Sequence, residues 1–139
     1  MTAISINRVA EPYIKNKASN HLDKNRVVIF ASGTGNPFFS TDTAAVLRAS
    51  EMKSDVIFKG TKVDGIYDKD PVSNKDAKKI SEISYSEYLN KEIKVMDATA
   101  ISLAKDSSLP IIIFSISKSS NIIDIIEGKG SYSIIKETE

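Results

Sequence analysis

The chain has no cysteine and only one histidine, His21, in 139 residues. The lack of cysteine excludes disulfides, a thiolate nucleophile and a Cys-ligated metal, and a lone histidine excludes a His-rich metal site. It also fits a reducing, cytoplasmic setting. An excess of either charge is missing too: 19 Lys and Arg stand against 18 Asp and Glu, for a net charge of +1. Nothing electrostatic therefore points to a nucleic acid or a membrane as partner. No apolar run approaches the roughly 20 residues needed to span a bilayer. Met1 is not followed by the charged and apolar regions of a signal peptide. Internal repeats and low-complexity tracts are absent. What is present, 41% hydrophobic and 27% charged residues, suits a single domain over residues 1–139 with a core of its own.

Apolar runs and helix-capping residues alternate along the chain. Strands are expected near residues 26–32, 55–60, 110–116 and 131–135. Val27-Val28-Ile29-Phe30 and Ile111-Ile112-Ile113-Phe114 are continuously apolar, as buried parallel strands are, and Pro110 sits where a strand start tolerates proline. Helices are expected around Asn16 to Asp23, from the caps Ser40, Thr41 and Asp42 to Lys53, behind the capping box Ser84-Tyr85-Ser86-Glu87, from Asp97 to Asp106, and from Asn121 to Glu127, stopped by Gly128. This alternation predicts an α/β fold with a mostly parallel sheet covered on both faces and an antiparallel last strand. Ligands in such sheets sit beyond the carboxyl ends of the strands. Loops 33–42 and 60–71 leave from those ends and are expected to line one cleft.

One stretch stands out: Gly33-Thr34-Gly35-Asn36-Pro37-Phe38-Phe39-Ser40-Thr41-Asp42-Thr43-Ala44-Ala45. A strand that ends in a glycine-bearing loop and feeds a helix N-terminus is a device for holding an anion. Free backbone N–H groups and the positive end of the helix dipole point into the same space. The stretch lacks the third glycine of G-x-G-x-x-G and the Gly-Lys-Ser/Thr of the Walker loop. Simple turn and capping chemistry would account for the same residues. A second stretch, Lys59-Gly60-Thr61-Lys62-Val63-Asp64-Gly65-Ile66-Tyr67-Asp68-Lys69-Asp70-Pro71, opens residues 60–80, which carry Gly60, Gly65, the aspartates Asp64, Asp68, Asp70 and Asp76, and Pro71 and read as one long loop, as functional loops often are.

Both loops resemble the signatures of bacterial UMP kinases, members of the amino-acid kinase superfamily, and Tyr85-Ser86-Glu87 and Lys94-Val95-Met96-Asp97 continue the likeness in the same order. The resemblance runs from about Ile4 to the C-terminus. It implies a three-layer α/β sandwich with a mostly parallel sheet, the C-terminal half of the amino-acid kinase fold. It implies transfer of the γ-phosphate of ATP to UMP, giving UDP in pyrimidine biosynthesis, with Mg2+ as cofactor. UMP would be held by Thr34, Gly35, Asn36, Pro37, Phe38, Phe39, Ser40 and Thr41, with Phe38 and Phe39 as pocket walls. ATP would be held by Thr61, Tyr67 and Asp70, with Lys59 and Lys62 facing phosphate. Asp42 and Asp97 would belong to the catalytic centre, and no residue is assigned as a metal ligand. The family also implies a homo-oligomer, a hexamer, with GTP as activator and UTP as inhibitor. Arg26 matches a basic position of the effector region, but its neighbour is Asp23 rather than a basic residue.

The family's K-x-S-G-E and G-G-G-N motifs, which carry a phosphate-neutralising lysine and a glycine-rich cradle, do not occur here. Met1-Thr2-Ala3-Ile4 resembles an internal segment. The expectation is therefore a C-terminal half that lacks its N-terminal half, exposes an unpartnered surface and is inactive alone. Two other readings remain: a nucleotide-binding module without catalysis, and a superfamily kinase acting on an amino acid or carbamate. The Asn36-Pro37-Phe38-Phe39 loop argues against the latter.

Overall fold

A computed structural model describes residues 1–137. In chain order its elements are α1 (Lys15–Leu22), α2 (Thr41–Met52), β1 (Ile57–Thr61), β2 (Ile66–Tyr67), β3 (Lys79–Ile80), β4 (Glu82–Ile83), α3 (Tyr85–Asn90), α4 (Ala98–Asp106), β5 (Ile111–Ser115), α5 (Asn121–Ile126) and β6 (Tyr132–Ile135). Helices α2, α3 and α4 start where short polar side chains satisfy their free N–H groups. Ser40 accepts from Thr43 N at 3.1 Å, Ser84 from Glu87 N at 3.1 Å, and Asp97 from Ala100 N at 2.9 Å.

Four strands form one sheet in the order β1-β5-β6-β4. β1 runs parallel to β5, from Ile57 opposite Ile111 to Thr61 opposite Ser115. β6 returns antiparallel to β5 and parallel to β4, so the sheet is mostly parallel and the last strand reverses as the sequence suggests. Side chains alternate between faces with a period of two. Ile57, Ile111, Ile113, Ile135 and Ile83 therefore share one face. They pack with Val46 of α2, Tyr85 and Tyr88 of α3, and Ala100, Ile101 and Ala104 of α4 to form the core. The opposite face carries Phe58 and Phe114, edge-to-face at 5.9 Å. Phe58 and Ile112 there are only half-buried, so the two faces are covered unequally.

Two expectations need correction. Residues 26–32 are not a strand of the sheet; apart from a parallel bridge between Ala31 and Thr2, they pair with nothing in strand fashion. Their backbone partner is the N-terminal segment: Met1 N donates to Ile29 O at 2.7 Å and Ala31 N donates to Met1 O at 2.9 Å. Val27 is 94% and Ile29 76% exposed. An apolar run joins a sheet only where a strand lies beside it, and the neighbour of this segment is the N-terminal stretch, which is itself no strand of the sheet. The second correction concerns residues 60–80, read as a long loop. They hold the antiparallel pair β2–β3, and β4 follows at once. Two-residue strands are too short for their periodicity to register in a sequence.

Candidate functional site

Loop 33–42 needs its glycines. Gly33 and Gly35 have φ of +59° and +76°, and a Cβ on Gly35 would come within 3.0 Å of the Ala3 carbonyl oxygen. Thr34 Oγ1 accepts from Asn36 N at 3.1 Å, and Asn36 Nδ2 donates to Thr34 O at 3.4 Å. These two side chains thus shape the turn. Phe38 adopts a positive φ of 69° and stands fully in solvent. Phe39, 53% exposed, lines a depression of about 490 Å3 together with Gly35, Asn36, Pro37 and Thr41. Of the two expected aromatic walls, the structure brings only Phe39 to the cavity.

Ser40, Asp42 and Asp97 meet where the N-termini of α2 and α4 converge. Ser40 Oγ donates to Asp97 Oδ2, Thr43 Oγ1 donates to Asp97 Oδ1 at 3.3 Å, and Ala100 N donates to the same oxygen. One carboxylate therefore caps α4 and holds the first turn of α2. Burial raises the Asp97 carboxyl, but hydrogen bonds from Ser40, Ala100 and Thr43 outweigh burial and hold it below its usual range. Asp42 is engaged too: Lys59 Nζ donates to Asp42 Oδ1. Lys59 points to the helix-covered face of β1 because it lies two residues after Ile57. It neutralises Asp42 rather than standing free for phosphate.

Around loop 60–71, Tyr67 OH donates to Asp64 Oδ1 at 2.7 Å, Lys79 Nζ to Asp64 Oδ2 at 2.9 Å, and Ser131 Oγ to the same oxygen at 3.0 Å. This knot ties the β2–β3 pair to the start of β6. Burial raises the Asp64 carboxyl, and the bonds from Lys79, Tyr67 and Ser131 more than offset it, leaving a pKa of about 2. The bond to Asp64, followed by burial, pushes the Tyr67 phenol above its usual range. Asp70 accepts from Ser73 Oγ at 2.6 Å and Val72 N at 2.9 Å, a turn arrangement that lowers its carboxyl. Thr61 Oγ1 is occupied locally, donating to Val63 O at 2.6 Å and accepting from Val63 N at 3.1 Å.

The two loops do not line one cleft, as the sequence reading had it. Most of loop 33–42 lines the depression beside Phe39, and only its Ser40 and Asp42 reach a cleft that adjoins the one beside loop 60–71. A cleft of about 540 Å3 is lined by Ser40, Asp42, Tyr88 and Asp97, and another of about 380 Å3 by Tyr67, Asp70 and Pro71. Both share a wall made of Glu92, Ile93 and Lys94. Tyr88 pins that wall, donating to Met96 O at 3.1 Å and accepting from Met96 N at 2.7 Å. Burial pushes the Tyr88 phenol up to about 12, although the Met96 backbone bond works against it. Sequence reasoning missed Tyr88; a lone tyrosine inside a short helix gives no signal of the backbone it will hold. A further groove of about 540 Å3, mostly apolar, runs between Phe30, Met52 of α2 and Ile57. Among the described residues no group of three or more His, Cys, Asp or Glu is placed to hold a metal ion. No helix is long and apolar enough to cross a membrane.

With this geometry in hand, the likeness to known proteins is informative. The profile of the amino acid kinase family matches residues 1–115. The chain is 56% identical over 137 residues to a uridylate kinase of Wolbachia pipientis wMel, covering 99% of this chain and 55% of that one. It is 59% identical over 126 residues to a uridylate kinase of Sulfurimonas denitrificans, covering 91% of this chain and 53% of that one. The crystal structure of UMP kinase from Bacillus anthracis superposes with a TM-score of 0.94 at 39% identity, over 100% of this chain and 57% of that one. UMP kinase from Ureaplasma parvum gives 0.93 at 36% identity, over 99% of this chain and 59% of that one. The chain spans about half the length of the curated relatives it matches.

Proposed function

Because the chain belongs to the amino acid kinase family, we propose that it is the C-terminal, nucleotide-binding half of a UMP kinase, which transfers the γ-phosphate of ATP to UMP. The observation that carries this reading is the pair of adjoining clefts. Ser40 and Asp42 at the α2 N-terminus border one, and Tyr67 and Asp70 border the other, across a common wall. UMP would sit against residues 34–41, with Asn36 and the loop backbone towards the base and Ser40, Thr41 and the α2 N-terminus towards its phosphate. ATP would sit against Thr61, Tyr67 and Asp70. An oxygen of the UMP phosphate attacks the γ-phosphorus, the bond to the ADP oxygen breaks, and UDP and ADP result. A nucleotide phosphate with a second pKa near ~6 is largely dianionic at neutral pH, so the attacking oxygen needs no general base. The chemistry then demands positioning and charge neutralisation. Bonded as they are to Lys59 and to two helix N-termini, Asp42 and Asp97 suit positioning rather than proton removal.

Magnesium would ride on the ATP phosphates, where it neutralises charge; the described residues build no protein cage for it. Cytoplasmic residence, a homo-oligomer, activation by GTP and inhibition by UTP belong to this reading as family properties. Val9 at 79%, Val27 at 94% and Ile29 at 76% exposure offer apolar surface for association, which sedimentation of the isolated chain would register.

Reaching the transition state requires cations this chain does not provide in number, since Lys59 is neutralised by Asp42. A coupled ADP-release assay tests the reading. Residues 1–139 alone should give negligible UMP-dependent turnover, and fusion to an N-terminal half bearing the K-x-S-G-E and G-G-G-N motifs should restore it. Near-normal turnover by the chain alone would refute the charge argument. Nucleotide binding with no turnover even after fusion would favour a binding module instead.

A further inference from the structure

We propose that Tyr88 is a positioning residue for both clefts: its hydroxyl holds the wall between them, so that each cleft keeps its shape whether or not the other is filled. This rests on the phosphotransferase reading above, since it concerns two ligands bound side by side. The wall has little backbone support. The amides of Glu92 and Ile93 reach back to α3, at 3.2 Å to Leu89 O and 3.5 Å to Tyr88 O. Beyond them, among the described residues, the backbone of residues 94–96 finds its partners in the Tyr88 hydroxyl, which accepts from Met96 N at 2.7 Å and donates to Met96 O at 3.1 Å. Glu92 has a φ of +50°, a left-handed backbone that a non-glycine residue keeps only where its surroundings hold it. The Tyr88 ring is itself fixed, being 1% exposed and packed in the core.

This clamp sits between two working ends. Before it, Glu92 and Ile93 face both clefts. After it, Asp97 follows Met96 directly, and its two oxygens bond Ser40, Thr43 and the start of α4. A shift of Met96 therefore moves the partition and the Asp97 carboxylate together. A wall without this anchor yields to whichever ligand arrives first, and the room it gives one cleft is taken from the other. A wall that is held lets two ligands bind with no more influence on each other than their own charges exert. Tyr85 supplies the contrast: it lies on the same helix and is equally buried, but its hydroxyl has no partner among the described residues.

The test is calorimetric titration of the full chain and its Tyr88→Phe and Tyr85→Phe variants with UMP and with the β,γ-imido analogue of ATP, each alone and with the other saturating. The readout is the factor by which one ligand changes the affinity of the other, which must be the same in both directions. Both substitutions are neutral, so repulsion between the ligands is common to all three proteins and cancels in the comparison. Tyr85→Phe should keep the parent's factor to within about twofold, whereas in Tyr88→Phe each ligand should weaken the other by a further factor of about 5 to 20, the lower part of the usual range for coupled sites. A purely structural role would act with the opposite sign: the first ligand would refold a partly unfolded variant and so tighten the second. Should Tyr88→Phe be too unstable to titrate by itself, the same titrations are made in the chain fused to the N-terminal half. A factor in Tyr88→Phe within about twofold of the parent's, or mutual tightening there, or an equal change in Tyr85→Phe, would overturn the proposal. If the parent chain binds both nucleotides and any of these results is found, only this proposal falls. If the parent chain does not bind both, the phosphotransferase reading falls and this inference with it.

Discussion

Two tyrosines on one short helix offer a sharp test of the packing around the site. Tyr85 and Tyr88 are each 1% exposed and both belong to the core. Their hydroxyls have opposite fates. The Tyr88 hydroxyl bonds both the N–H and the carbonyl of Met96, at 2.7 and 3.1 Å, and Met96 is itself 2% exposed. The Tyr85 hydroxyl is buried with no partner among the described residues. Burial pushes the Tyr85 phenol up to about 12, so it stays neutral at ordinary pH. Phenylalanine keeps each ring and removes only the oxygen. Tyr88→Phe leaves a buried N–H and a buried carbonyl unpaired, and each such orphan costs about 1–3 kcal/mol, so the variant should lose about 2–6 kcal/mol. That is a large share of the roughly 5–15 kcal/mol that holds a domain together. Tyr85→Phe removes a polar atom whose burial is uncompensated, so it should be neutral or gain up to about 1 kcal/mol. Urea unfolding with matched m-values measures both. Equal losses, or a Tyr88→Phe loss under about 0.5 kcal/mol, would mean that the Met96 clamp contributes little and that the wall between the clefts is held by something else.

The nucleotide assignments separate by ligand. Asp70→Ala should weaken ATP more than UMP, because the turn held by Ser73 and Val72 opens beside Tyr67. Asn36→Ala should do the reverse by loosening the Thr34 turn; equal effects in paired titrations would remove the donor and acceptor labels. Acid should find Asp64. Its folded pKa of about 2 lies below the unfolded value, so the stability it lends is present above pH ~4 and is lost as pH falls towards ~2. With 44% of the side chain exposed, screening limits that contribution to about 1 kcal/mol or less. Asp64→Asn should flatten this part of the acid limb in pH-dependent urea unfolding, and an unchanged limb would refute the assignment.

How much of the fold could be read from sequence depended on how local its cause was. The α2, α3 and α4 starts follow from Ser40, Ser84 and Asp97, whose side chains bond backbone N–H groups three residues on. β5 follows from four consecutive apolar residues after Pro110. The segment Val27 to Phe30 carries an equally strong apolar signal and yet lies outside the sheet. Its pattern reports what the segment would bury, whereas strand formation depends on a neighbour, and here that neighbour is the backbone of Met1 to Ala3. β2, β3 and β4 were illegible for a different reason: each is two residues long and is set by pairing partners elsewhere in the chain.

The site divides along the same line. The loop glycines, the caps and the motif residues are local and were visible. What each carboxylate does is not local. Asp42 faces Lys59 because β1 turns every second side chain toward the helices, and Asp97 meets Ser40 because α2 and α4 pack side by side, 57 residues apart in sequence. An aspartate in a motif can be a base, a metal ligand or a brace, and only its partners distinguish the three. Asp97 has the α4 cap and the first turn of α2 on its two oxygens, and Asp42 has an ammonium. Neither is a free base. That agrees with a reaction whose nucleophile, a phosphate oxygen, is already ionised at neutral pH and whose difficulty is the gathering of negative charge. The residues that decide the rate of such a reaction are those that bring cations to the phosphates. In this chain that directs attention away from the acidic residues and toward the wall between the clefts.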